Sequence, residues 1–418
     1  MLSTAELLLG LSRHLSAYGT SQPRADLGQL EFAGQVLDTA VRLRGSGVCA
    51  PERVEALARG TGITKRALRN DILPTLEMLG LVDLEHNAER AIIAVSEKVP
   101  PVDELFASAE RLVDIAAPEP LERMALAVLR ETTLMPITQR TALELCAGLG
   151  SEEDALEAIE DLQSLHLCMR RHSADDNVVL FNPNVWAADH DYSAAALRAE
   201  DGDVRAALTG LLEEVSASAG LPELRVTSCE KKWVDYAVAQ GLLQRSIVTT
   251  TDGVERAFLF APHMGKAAFE APTGVDPSGH VRQLIGSMVF ARTYATNRLF
   301  APTKFLNRLI NDGEAGDATN IGTDYPMLET AGIVRVEKAP RFFKFVLLQA
   351  DVAQEALTYL DNAGSSSLTA GLRGQRSYRH PERERAAALA VETEPSPRAT
   401  ANIIAALRQE IGARRYAG

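Results

Sequence analysis

Residues 48–95 read VCAPERVEALARGTGITKRALRNDILPTLEMLGLVDLEHNAERAIIAV, and their breakers divide them into four parts. Pro51 to Arg59 reads as a helix, with proline near its start, where its missing N–H is harmless. Thr61-Gly62-Ile63 is a turn, and Thr64 caps a second helix that runs through Leu79. Pro74 falls inside that second helix and is expected to kink or split it. His86-Asn87-Ala88-Glu89 then separates two short β-rich runs, as in a hairpin.

The end of this stretch recurs in degenerate form. Leu76-Glu77-Met78-Leu79-Gly80-Leu81-Val82 is echoed by Leu162-Gln163-Ser164-Leu165-His166-Leu167-Cys168. It returns as Tyr236-Ala237-Val238-Ala239-Gln240-Gly241-Leu242-Leu243 and as Met327-Leu328-Glu329-Thr330-Ala331-Gly332-Ile333-Val334. The breaks at Gly80, His166, Gly241 and Gly332 lie 86, 75 and 91 residues apart, which is domain spacing and not solenoid spacing. Each is followed by a hairpin signal; the later turns are 173–177, Thr251-Asp252-Gly253 and Lys338-Ala339-Pro340-Arg341.

A chain of 418 residues and 45.1 kDa has room for two or more cores. With 46% apolar and 24% charged residues and no run of 18 apolar positions, it reads as soluble, with no membrane partner. Glu6 interrupts the first apolar run and no cleavage site frames it, so a cytoplasmic location is expected. Cys49, Cys146, Cys168 and Cys229 are too far apart for a zinc ribbon or a disulfide framework, and read as reduced thiols.

Helix, glycine turn, helix, hairpin resembles the winged helix-turn-helix superfamily, here as a tandem array. The resemblance implies a mainly α protein with small β-hairpins (α+β): tandem winged-helix modules between helical N- and C-terminal segments. The boundaries expected are N-terminal helices at 1–46, module one at 47–99 and an acidic module two at 100–185. A connector with a degenerate module three spans 186–262, module four spans 276–360, and a flexible linker with C-terminal helices spans 361–418. Module three is the weakest match.

The formal charge of −13 is regional: residues 100–222 hold 23 acidic and 8 basic side chains. Two stretches are basic and free of acids, 60–70 and 277–311, the latter with Arg282, Arg292, Arg298, Lys304 and Arg308. In the superfamily the helix after the turn enters the major groove. That implies DNA contact for Thr64, Lys65, Arg66, Arg69 and Asn70, since Arg and Asn can pair bidentately with guanine and adenine edges. The corresponding helix of module two, 151–165, carries six acids and should avoid DNA. In module four, Arg298, Lys304 and Arg308 and the basic wing of Lys338, Arg341 and Lys344 are candidate phosphate contacts. Glu314, Asp317, Asp324 and Glu329 lie in or near its recognition helix and oppose this. Phe343 and Phe345 should face the core, with Phe342 and Lys344 on the other strand face. Beyond the linker, Arg373, Arg376, Arg379, Arg383 and Arg385 could form an electrostatic arm. The bland alternatives are solvated helix faces and edge-strand protection.

No phosphate-binding loop, nucleophile elbow, zincin motif or dinucleotide fingerprint occurs, so no enzyme, cofactor or metal is expected. His166, Cys168 and His172, and Asp189-His190-Asp191, hold metal-capable side chains but too few convergent ligands. The reading that follows is a non-catalytic binder of double-stranded DNA that regulates transcription. The alternative is a winged-helix scaffold within a larger complex. The apolar stripe Ile403, Ile404, Leu407 and Ile411 suggests a homo-oligomer or a protein partner at the C-terminal helix.

Overall fold

The computed structural model describes residues 3–18, 27–172, 178–182, 202–239, 241–261, 279–360 and 371–391. The turn at 173–177, Asp189-His190-Asp191, the linker core at 361–370 and the apolar stripe at 403–411 lie outside them.

Helices α1 (Thr4–Tyr18) and α2 (Gly28–Leu43) open the chain. Strand β1 (Val48–Cys49) then leads to α3 (Pro51–Arg59), α4 (Lys65–Ala67), a π-helical turn (Leu68–Ile72), α5 (Leu73–Met78) and the hairpin β2 (Val82–His86) and β3 (Ile92–Glu97). After α6 (Val102–Ala107), α7 (Ala109–Ala116) and α8 (Pro120–Leu134) come β4 (Ile137–Thr138), α9 (Gln139–Cys146), α10 (Glu152–Ser164), β5 (Met169–His172) and β6 (Val178–Phe181). The third unit holds α11 (Gly202–Ala217), β7 (Leu221–Pro222), a 3-10 turn (Glu223–Arg225), α12 (Lys231–Ala239), β8 (Gln244–Thr250) and β9 (Glu255–Phe260). The fourth follows α13 (His280–Thr293) with α14 (Pro302–Asp312), β10 (Glu314–Ala318), α15 (Ile321–Asp324), α16 (Pro326–Thr330), β11 (Val334–Lys338) and β12 (Phe343–Leu347). Helix α17 (Ala350–Tyr359), β13 (Gln375–Arg379) and α18 (Pro381–Val391) complete the described chain. The class is mixed α+β with several small antiparallel sheets.

The four units share one strand order. The short strand ahead of the helices pairs with the last strand of the hairpin, giving β1-β3-β2, β4-β6-β5 and β10-β12-β11, and β7 on β9 in the third sheet. They also share the helix ending that the recurring phrase encodes. Gly80, His166, Gly241 and Gly332 all adopt positive φ, at 76°, 56°, 74° and 73°. The next N–H reaches the carbonyl five residues back each time: Leu81 to Leu76, Leu167 to Leu162, Leu242 to Ala237 and Ile333 to Leu328, at 2.8–3.1 Å. This is a Schellman C-cap, which satisfies the helix's orphan carbonyls and turns the chain into the strand.

Pro74 distorts its helix without splitting it. The proline cannot donate a helical hydrogen bond, and the turn just before it widens so that the Leu73 N–H bonds the Leu68 carbonyl.

Two findings correct the sequence reading. Helix α13, the start of the acid-free stretch, is buried at every position but Arg292, so Arg282 faces protein and not phosphate. The Arg-rich segment is also no free arm. Strand β13 adds to the outer edge of β8, the Arg379 guanidinium donates to both Glu255 oxygens at 2.7 and 2.8 Å, and buried Arg385 donates to the Ala239 carbonyl. An open edge on β8 supplies the unpaired backbone groups that β13 satisfies.

One continuous apolar core runs from Leu7 through module one to Leu180, and a second surrounds α13 and reaches α17. Buried Gln349 joins the two halves: its Nε2 donates to the Val41 and Gly332 carbonyls at 3.1 and 3.0 Å, and its Oε1 accepts from His280 Nδ1 at 3.0 Å.

Candidate nucleic-acid interface

Module one presents the helix the sequence singles out. Its start is fixed by Thr64, whose hydroxyl accepts from the Ala67 N–H at 3.2 Å. Buried Leu68, Ile72, Leu73 and Leu76 anchor one face in the core. The opposite face exposes Thr64, Lys65, Arg66, Asn70, Pro74 and Met78, while Arg69 is half-buried.

The cations of this helix are not equivalent. Buried Glu55 on α3 accepts from Arg69 Nε at 2.7 Å and Nη2 at 2.5 Å, and Lys65 Nζ stands 3.1 Å from the same oxygen. Burial works to raise the Glu55 carboxyl, but Lys65 and Arg69 outweigh it and hold the group below its usual range. Arg66 is exposed and has no ion pair among the described residues. The segment therefore offers one free guanidinium, an amide and a hydroxyl, flanked by two cations already shared with an acid.

Module four distributes its candidates differently. Lys304 and Arg308 are exposed on α14, whose apolar face sets Phe305 edge-on against Phe345 of β12, and Arg308 Nε stands 3.4 Å from Asp312. Arg298 is half-buried in the turn before α14. Glu314 and Asp317 lie on β10, and Asp324 is buried on α15. The helix that precedes the hairpin is α16, and it is covered. A Cβ on Gly60 would stand 2.6 Å from Thr330 Cγ2, and Arg42 reaches the Thr330 carbonyl. The Glu329 carboxylate accepts from the Val336 N–H at 2.9 Å and so braces β11. The structure thus brings Lys338, Arg341 and Lys344 together at one hairpin, with Lys304 and Arg308 on the helix that packs against it.

On that hairpin Phe345 is buried and Phe343 half-buried on one face, with Phe342 exposed, as strand alternation requires. Lys338 and Arg341 are exposed, whereas Lys344 pairs with Glu314 across the β10–β12 ladder. Glu314 was legible only as a nearby acid; the strand pairing that sets it against Lys344 was not.

Helix α10 of module two starts with a reciprocal capping box between Ser151 and Asp154, and it exposes Glu152, Glu153, Glu157 and Glu160. Burial drives the Cys168 thiol up to about 12, leaving it an inert core group and a poor metal ligand. Among the described residues no cluster of three metal-capable side chains occurs. Likewise, no described helix is long and apolar enough to cross a membrane. Set against protein-family models, curated proteins and solved structures, the chain finds no match.

Proposed function

We propose that this chain binds double-stranded DNA without catalysing a reaction on it, as a cytoplasmic regulator of transcription built from tandem winged helices. The observation that carries the reading is the exposed start of the helix after the module-one turn. Thr64, Arg66 and Asn70 stand clear of the core with no acid before Asp71, on a helix held by its own apolar face. Arg66 and Asn70 are the base readers, because both side chains can pair bidentately in the major groove. Lys338 and Arg341 on the module-four hairpin hold phosphates, which position the duplex without reading it.

Arg66→Ala should cost about 1–3 kcal/mol on a preferred duplex and relax selectivity. Changing Glu153 and Glu157 to Gln should leave affinity unchanged or slightly higher. Equal losses from both helices, measured by fluorescence anisotropy, would contradict this division of labour.

A second reading, a scaffold that docks protein partners, is favoured by one arrangement. Glu55 and Glu314 already engage Lys65, Arg69 and Lys344 internally, while four acids on α10 face outward.

A further inference from the structure

A cavity of about 630 Å³ lies between α1, α2, the turn of module one and the β13–α18 corner, on residues that the DNA reading does not use. Its size is that of a small-molecule site. Ser12, Asp38 and Arg42 form a buried floor, and Gly28, Gly62 and Arg383 are exposed at its mouth.

The floor is charged and incompletely satisfied. Asp38 Oδ2 accepts from Arg42 Nε at 2.7 Å, whereas Asp38 Oδ1 has no hydrogen bond and stands 3.6 Å from Arg13 Nη2. Arg13, only 12% exposed, has its Nη1 corner toward Gly279, where a Cβ would lie 3.4 Å away. The other edge, Nε and Nη2, is the planar fork that matches two oxygens of a carboxylate or phosphate, and neither nitrogen has a hydrogen-bond partner. Glu382, which also lines the cavity, carries an Oε2 atom in the same condition. Buried polar atoms left without a hydrogen bond are costly, and those around this cavity, which include Arg13 Nε, Asp38 Oδ1, His380 Nδ1 and Glu382 Oε2 beside the long Arg13–Asp38 ion pair, call for a polar occupant.

We propose that this cavity binds a small oxyanion carried on a body with hydroxyl or amino donors. The Arg13 edge takes the carboxylate or phosphate head, and Asp38 Oδ1 and Glu382 Oε2 accept from the body. Arg383 at the mouth supplies further positive charge. The assignment is independent of DNA binding, because it is read by direct titration of the full chain.

Isothermal titration with AMP, glutamate and inorganic phosphate separates the two sources of the head group. Saturable one-site binding of AMP but not glutamate makes the head a phosphate; the converse makes it a carboxylate. Phosphate alone should bind weaker than AMP if the body contributes. Arg13→Gln should lower the affinity of whichever probe binds by tenfold or more. Glu382→Gln should weaken AMP or glutamate while leaving inorganic phosphate unchanged, and it serves if the Arg13 variant does not fold. No binding of any probe at millimolar concentration, or affinities untouched by these changes, would show that the cavity holds solvent only and overturn the proposal.

Discussion

Glu55 is the residue on which the charge of the candidate reading helix turns. Its single Oε1 atom serves both Arg69 and Lys65, so it competes with any phosphate for two of the three cations in that segment. Glu55→Gln should therefore tighten binding to duplex several-fold at low salt. The log–log salt slope should steepen by about 0.9 for each released cation that finds a phosphate. Anisotropy titrations at three or more salt concentrations check this, and an unchanged slope would place both side chains away from DNA. Local roles were legible at this scale. The Thr64 cap, the Pro74 disturbance and the inward Phe345 follow from neighbours a few positions away. The Glu55 pairing was not legible, because its partners lie 10 and 14 residues downstream across a turn and only the helix crossing brings them together. Asp38 and Arg42 did leave a trace, an i,i+4 charged pair beside the apolar Leu37 and Val41 of α2.

The recurring element is the left-handed helix ending, whose cost differs from one unit to another. At Gly80 a Cβ would meet nothing within 4 Å, so Gly80→Ala should lose only the price of left-handed backbone, about 1–2 kcal/mol. At Gly332 the same Cβ would stand 2.0 Å from the Arg42 carbonyl of α2, so Gly332→Ala should destabilise clearly more. Urea unfolding of the two variants decides, and equal losses would mean that α2 shifts freely. The hairpins and their glycine breaks were legible because turn chemistry and alternation are local signals. The two-residue strands β1, β4 and β7 are too short to alternate and exist because a hairpin edge is there to pair with. Strand β10 reads Glu-Ala-Gly-Asp-Ala, a poor strand former, and its pairing with β12 overrides that propensity.

Across the whole molecule the modules are joined and not strung as beads. Besides Gln349, the Arg44–Asp351 pair at 2.8 Å and the close approach of Gly45 to the Leu348 carbonyl tie α2 to the start of α17. Such long-range contacts leave no periodic mark, which is why the sequence suggests a looser array. His14 extends the same packing: buried on α1, it donates from Nε2 to the Leu165 carbonyl at 2.6 Å, just ahead of the module-two cap. Burial, against the help of that bond, lowers its pKa from 6.5 to about 3. The folded ring stays neutral while the unfolded ring takes up a proton below 6.5. Its contribution to stability is thus full above pH 6.5 and is lost as pH falls toward 3, by up to about 1.4 kcal/mol per unit. Half-buried His380 is lowered in the same direction, first by desolvation and then by Arg13 and Arg42, and adds to the fall. Denaturant melts from pH 7.5 to 5 should show this loss, and His14→Gln should make it shallower. The central claim concerns the regional charge, which leaves basic surfaces at Arg66 and at the Lys338–Arg341 hairpin on a chain of net −13. Titration of the full chain with a random-sequence duplex across a range of salt concentrations tests it most directly. The account predicts binding at low salt that weakens linearly in log–log form, with a slope of about −0.9 per phosphate contacted. No binding at low salt, or an affinity indifferent to salt, would contradict it and leave the scaffold reading standing.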